Sequence, residues 1–383
     1  MAGPTTPSRT TRRCRTPADR RSGGAGRGGA VAGRYLLVDL LGTGGAGTVW
    51  RTWDRKRGRY LAAKVLQQRD AAALLRFVRE QSLRIEHPHV LAPNGWAAED
   101  DQVLFTMELM RGGSVADLLG DYGPLPVDVA GELLAQLAQG LAAVHAAGVV
   151  HRDLKPANLL LEPSGRGRPH LRLSDFGIAV VLGEPRLTQQ QYVIGTPGYF
   201  APEQLRGAAP DPRQDLYGLG VVGCQLLSGQ PPPADPWQSS VAPPPGLPGP
   251  VAAVLRRLLA ENPAERYRSA EQAAAAVTKA FDTSGGEWTQ DTGEPVEVFD
   301  HLGHLPDGFT ETGPVPDGLG EQVTFASAPR SMPLSAAGPD AGLAATWSYS
   351  PASRVAAHAE GAVIIMSNSA TMVHADLIGR SFR

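Results

Sequence analysis

The sequence predicts an α+β fold in two lobes, a strand-rich one followed by a helical one, with structureless segments at both ends. Three observations predict it. Between residues 34 and 110, short apolar runs are separated by glycine-rich or charged turns, the pattern of strands. Over residues 111–282 the apolar side chains fall at helical spacing instead, with Leu133, Leu134, Leu137, Leu141 and Val144 as the clearest series. In residues 1–33 and 283–383, glycine, proline, serine and other polar residues displace the large apolar side chains that a core needs.

The first apolar run, Arg34-Tyr35-Leu36-Leu37-Val38, continues through Leu40 and Leu41 into Gly42-Thr43-Gly44-Gly45-Ala46-Gly47. A second strand, residues 48–54, follows the glycines directly, and residues 60–66 make a third. A dinucleotide-binding fold would place a helix after such glycines; here Val49-Trp50-Arg51-Thr52-Trp53 continues as strand. The loop therefore reads as a hairpin flap whose backbone can approach phosphate oxygens with no Cβ in the way. Lys64 stands in an apolar strand between Ala62-Ala63 and Val65, with room beside it for a flat ligand. A helix is expected over residues 70–85, ended by His87-Pro88, because the residue before proline avoids helical angles. On it, Glu80 is the carboxylate best placed to face Lys64. Residues 103–109 read as strand, Arg111-Gly112-Gly113 as a connector, and residues 115–119 and 127–147 as helices. In the second helix His145 is expected to be a packed or surface imidazole. Leu159-Leu160-Leu161 and Leu171-Arg172-Leu173 flank a turn, so a hairpin delivers Ser174-Asp175-Phe176-Gly177; Arg166 and Arg168 belong to that turn, expected to be solvated.

Between the long helix and this hairpin lies His151-Arg152-Asp153-Leu154-Lys155-Pro156-Ala157-Asn158. A carboxylate there can orient a hydroxyl and accept its proton, a lysine can neutralise transferring phosphate, and an amide oxygen can hold a hard cation. Asp175 supplies the second oxygen ligand that such a cation needs.

Bulk properties narrow the surroundings. A net charge of −2 gives no argument for nucleic acid or a membrane surface as partner, although residues 1–33 form a basic arm with seven arginines against Asp19. That arm reads as disordered rather than as a transit peptide, and no apolar stretch of signal-peptide length follows it. Two cysteines, Cys14 and Cys224, exclude a disulfide framework and a cysteine metal site, so a cytoplasmic setting is expected. No uninterrupted apolar run approaches ~18 residues, so no membrane span is expected.

In order along the chain, Gly42-x-Gly44-x-x-Gly47-x-Val49, Lys64, Glu80, His151-Arg152-Asp153 through Asn158, Asp175-Phe176-Gly177, Ala201-Pro202-Glu203, Asp215 and Arg266 resemble the protein-kinase superfamily, and specifically the bacterial Ser/Thr kinases of eukaryotic type. The resemblance covers about residues 34–282 and implies a protein-kinase-like fold with an N-lobe over 34–110 and a C-lobe over 111–282. It implies ATP and Mg²⁺, with protein substrates bearing Ser/Thr acceptors and a homodimer as a setting for trans-autophosphorylation. Gly42, Thr43, Gly44, Gly45, Ala46 and Gly47 would cover the phosphates, Lys64 held by Glu80 would bind them, and Asn158 and Asp175 would hold the metal. Asp153 would orient the hydroxyl and Lys155 offset charge on the phosphate. Glu108 and Met110 would meet adenine with backbone groups, Met107 would lie at the back of the pocket, and Val49, Ala62 and Leu160 would sandwich the ring. Lys155 and Thr196 mark Ser/Thr acceptors, Asp215 would support the catalytic loop, and Arg266 would pair with Glu203. Arg152 implies activation by phosphorylation within residues 175–203, where Thr188 is the expected autophosphorylation site.

The sequence departs from the family pattern in two places. Glu80 precedes His87 by only seven residues, closer than in most relatives, and residues 231–250 are proline-rich where a short helix is usual. Two other readings stand beside an active kinase. A pseudokinase scaffold would lack Lys64, Asp153 or Asp175, and all three are present; a small-molecule phosphotransferase would not need Ala201-Pro202-Glu203 and the loop before it.

Overall fold

Strand-forming residues on both sides of tight glycine turns build an antiparallel sheet first. A computed structural model describes residues 30–44, 47–67, 85–99, 102–175, 180–181, 192–196, 198–233, 235, 240–281, 295–315 and 363–366. The sheet comprises β1 (Ala30–Val31), β2 (Tyr35–Gly44), β3 (Gly47–Asp54), β4 (Arg59–Gln67), β5 (Gly95–Glu99) and β6 (Gln102–Met107), in the order β1-β2-β3-β4-β6-β5. Ala30 and Val31, ahead of the expected start at Arg34, already pair with Leu36 and Tyr35. The expected helix over 70–85 and Glu80 lie outside the described residues. Gly47 has φ +138°, and a Cβ there would stand 2.2 Å from the Val65 carbonyl oxygen, so the flap can fold onto β4 only with glycine.

The connector, residues 108–113, joins the sheet to the helical lobe and docks on β8 (Leu159–Glu162): Gly112 N–H donates to the Leu161 carbonyl at 2.9 Å, and Leu161 N–H donates to Gly113. Helix α1 (Val115–Tyr122) starts at a capping box in which Ser114 and Asp117 satisfy each other's backbone N–H groups. Helix α2 (Val127–Ala146) is long and apolar enough to cross a membrane, but 72% of that stretch is buried, and it forms the centre of the helical core. Around it pack β9 (His170–Leu173), which pairs with β8, and α3 (Pro212–Ser228), α4 (Gly249–Leu258) and α5 (Ala270–Phe281). The proline-rich stretch stays non-helical until Gly249 where it is described, as expected.

Short pairings complete the architecture: β7 (Val149–Val150) with β10 (Val180–Val181), β11 (Tyr192–Gly195) with β14 (Val363–Met366), and β12 (Phe309–Thr310) with β13 (Gly313–Pro314). The expectation of a structureless tail from residue 283 is corrected for residues 295–315. Val296 and Val298 are buried in the helical core, and Leu305 and Phe309 pack on Leu36, Val38 and Trp53 of the sheet. The turn at Arg166 and Arg168 is solvated as expected, with side chains 71% and 70% exposed, although Arg168 pairs at 2.8 Å with Glu132, a buried carboxylate on α2.

Candidate active site

The register of the sheet sets one wall of the site. Val49 pairs with Lys64, and Lys64 with Phe105; Ala62 pairs with Met107. Because side chains alternate along a strand, Val49, Ala62 and Lys64 share one face, turned toward the helical lobe. Lys64 extends from it to Asp175, with Nζ 2.5 Å from Oδ1. Its described partner is thus Asp175; whether Glu80 also reaches it falls outside the described residues, as do Gly45, Ala46, Phe176 and Thr188. At the connector the Glu108 side chain is exposed and held at 2.7 Å by Arg172, which also binds Glu162. Met110 and Leu160 are half-buried beside it, where Leu160 can face a ligand under Ala62.

The opposite wall is a loop held from beneath. Asp215, in the first turn of α3, accepts the backbone N–H of His151 at 2.9 Å and of Arg152 at 2.8 Å. His145 Nε2 lies 2.8 Å from the same carboxylate, so this imidazole is packed, as expected, with a partner the sequence did not show. Burial pushes the Asp215 carboxyl up, but His145, His151 and the Arg152 N–H together bring it below the usual carboxylate range. His151 Nδ1 accepts the Asp153 N–H at 3.3 Å, which leaves Nε2 to donate to the Ser174 carbonyl at 3.0 Å. The loop is thereby tied to the residue before Asp175. Arg152 (φ 68°) and Asp175 (φ 63°) both occupy the left-handed region that side chains avoid, a cost of order 1–3 kcal/mol each that this bonding sustains.

With the backbone fixed, the side chains converge. Asp153 Oδ1 accepts from the Thr196 N–H and hydroxyl, each at 3.1 Å. Its Oδ2 meets Lys155 Nζ at 2.9 Å and Asn158 Nδ2 at 3.0 Å, and Lys155 also donates to the Thr196 hydroxyl at 2.8 Å. Asn158 uses both amide protons on Asp153, the second on its carbonyl at 2.8 Å, so its oxygen is the atom left for a cation. Two hard oxygens, from Asp175 and Asn158, on either side of Ser174 N–H bonded to the Asn158 carbonyl, fit a Mg²⁺ that retains several waters. The structure thus ties Asp153, Lys155 and Asn158 into one cluster and Lys64 to Asp175, with Ser174 between the two. Farther out, Arg266 clamps Glu203 through two bonds of 2.6 and 2.8 Å while 1% exposed, which fixes the segment after Thr196 to the start of α3 through the Arg213 carbonyl. A carboxylate beside an ammonium, a second lysine–carboxylate pair facing it, and a glycine flap above can hold a polyphosphate and present a hydroxyl to it.

The family model for the protein kinase domain matches residues 35–275. The serine/threonine-protein kinase PkaA of Streptomyces coelicolor is 37% identical over 266 residues, which cover 62% of this chain and 48% of that protein. PknA of Mycobacterium tuberculosis is 37% identical over 270 residues, covering 65% of this chain and 62% of that protein. The chain therefore spans less than two thirds of the length of these relatives. In three dimensions it is similar to the PknI kinase domain of Mycobacterium tuberculosis, with a TM-score of 0.51 and 29% identity over 64% of this chain and 95% of that one.

Proposed function

The chain belongs to the protein kinase domain family, and from that premise we propose that it transfers the γ-phosphate of ATP to serine and threonine hydroxyls of proteins. One observation carries the reading: Asp153, Lys155, Asn158 and Thr196 form a single bonded cluster, and the Ser174 N–H bond to the Asn158 carbonyl ties it to the residue before Asp175, the partner of Lys64. Transfer through a largely dissociative transition state needs positioning and charge neutralisation more than covalent chemistry. Asp153 orients the acceptor hydroxyl and takes up its proton, its own position set by Thr196 and Asn158. Lys155 sits where negative charge gathers on the transferring group. Lys64 binds the α- and β-phosphates, with Glu80 steadying it, and the flap of Gly42, Thr43, Gly44, Gly45, Ala46 and Gly47 excludes water above them. Glu108 and Met110 offer backbone groups to adenine between Val49, Ala62 and Leu160. Asp175 and Asn158 would hold Mg²⁺, which would supply charge neutralisation for the phosphates.

Control passes through the segment between Asp175 and Glu203. Thr188 is the proposed autophosphorylation site, with Arg152 as the cation that receives the phosphate. A cytoplasmic setting is proposed from the two cysteines of the chain, too few for a disulfide framework; cell fractionation checks it. Transfer of ³²P from ATP to a Ser/Thr-rich protein acceptor tests the reading. Wild type should label itself and the acceptor, and Asp153→Asn should lose about 10²–10⁴-fold in rate. In the same assay Thr188→Ala should lose most self-labelling, and a homodimeric trans reaction should show a specific rate that rises with enzyme concentration. An inactive wild type, or transfer only to a metabolite, sinks the proposal.

A further inference from the structure

Residues 295–315 take part in no step described above, yet they are fastened to both lobes. At the helical end, Val298 exchanges two backbone hydrogen bonds with Gly165 in the β8–β9 turn, at 2.9 and 3.1 Å. The Tyr122 hydroxyl at the end of α1 bonds both the N–H and the carbonyl of Glu297, at 3.0 and 3.2 Å. Midway, the Arg111 carbonyl of the connector accepts the His301 N–H at 2.7 Å, and its guanidinium pairs with Asp300 at 2.6 Å. At the sheet end, Arg51 donates to the carbonyls of Gly303 and His304, at 3.3 and 3.4 Å, and the Tyr60 hydroxyl donates to that of Thr310 at 2.6 Å. Gly313 lies so close to Trp53 that a Cβ would stand 2.5 Å from the ring.

The sheet end is placed with respect to the site by register. Val49 pairs with Lys64, Arg51 with Ala62 and Trp53 with Tyr60, so all six side chains occupy one face in three successive rows. The first two rows carry the residues that face the nucleotide site; the third lies under Leu305 and Phe309. Arg51 stands between, held by Asp39 through bonds of 2.6 and 2.7 Å and by the strap's carbonyls. Like the bonds of His89 and Leu91 to Leu173, this connection must stretch or undock in any swing of the sheet about residues 108–113.

We propose that residues 295–315 are a positioning strap: they fix the sheet's angle to the helical lobe from outside the connector, and their docking and nucleotide binding reinforce each other. Only the second half rests on the nucleotide reading above. Linkage requires the reinforcement to be reciprocal, so loosening the strap must weaken nucleotide by the factor with which nucleotide tightens the strap.

The test uses the full chain with Leu305→Ala and Phe309→Ala combined, and Leu305→Met with Phe309→Leu as the conservative rescue. Hydrogen exchange without nucleotide should rise at least about fivefold at residues 108–113 and stay unchanged in α2, while the dissociation constant of a fluorescent ATP analogue with Mg²⁺ rises at least about fivefold; the conservative pair should restore both. Unchanged connector exchange overturns the strap, as does exchange that rises equally in α2, or unchanged nucleotide affinity in a variant whose connector has loosened. A wild type that binds no nucleotide sinks the functional reading instead, and connector exchange still decides whether the strap tethers the lobes.

Discussion

Asp215 touches no reacting group, is 2% exposed, and still decides where Asp153 stands, because its two oxygens hold the N–H groups of His151 and Arg152. A neutral amide in its place would present a donor to donors. Asp215→Asn should therefore cost about 1–3 kcal/mol of unfolding free energy at pH 7, the range for leaving buried donors unsatisfied. The carboxyl is held below its usual range, so its contribution is full above the unfolded carboxyl value near ~4 and is lost as pH falls through the depressed folded value. Urea unfolding at pH 7 and pH 3 should thus find the gap between variant and wild type narrower in acid; a gap that does not change with pH refutes this account. The residues that do the proposed chemistry were legible in the sequence because Asp153, Lys155 and Asn158 are five residues apart at most and their types are unusual together. His145 was not: its partner lies 70 residues away, and nothing local distinguishes it from any other helix histidine. Asp175 as the described partner of Lys64 was equally hidden, since a lysine between two carboxylate candidates carries no local sign of which it meets.

Among the elements, the helical lobe depends on how closely its helices approach. In α2 a Cβ on Gly131 would stand 2.3 Å from the Phe281 Cβ of α5, whereas Gly120 of α1 has nothing within 4 Å. The same substitution should therefore have opposite signs at the two positions. Gly120→Ala gains up to about 1 kcal/mol from helix propensity. Gly131→Ala gains the same and loses more by forcing α2 from α5, for a net cost of about 1–2 kcal/mol. Thermal melts that move both variants in one direction would show that propensity alone governs these sites. Helices α1 and α2 were legible from their apolar period, but strand β5 was not. Only Ala97 of its five residues is buried and Trp96 is 52% exposed, so no alternation marks it. The strap was hidden for a related reason. Its anchors, Val296 and Val298 at one end and Leu305 and Phe309 at the other, are too few among polar neighbours to lift the local composition above that of a tail.

At the scale of the whole molecule, several links among the described residues cross between the lobes: the connector, the segment around His89 and Leu91 that bonds Leu173 of β9, the Lys64–Asp175 pair inside the cleft, and residues 295–315 outside it. The two sides they join are unequal. Among the described residues the helical lobe shares one large apolar cluster around α2, while the sheet divides its buried side chains among smaller groups around Tyr35, Leu61 and Leu104, around Leu36 and Trp53, and around Val103 and Phe105. Stability follows buried apolar contact, so the sheet should open at lower free energy than the helices. A ligand that contacts the sheet through Lys64 and the flap then stabilises mainly the weaker lobe. Calorimetry should resolve two overlapping transitions, the first from the sheet. At 100 times its dissociation constant, an unhydrolysable ATP analogue with Mg²⁺ should stabilise that lobe by about 2.7 kcal/mol and move the first transition toward the second. Lys64→Met should keep both transitions and abolish most of that shift, because the Lys64 side chain is largely buried and supplies phosphate binding more than core packing. A single transition that shifts as a whole with the analogue would mean that the links, the strap included, already make the two lobes one cooperative unit.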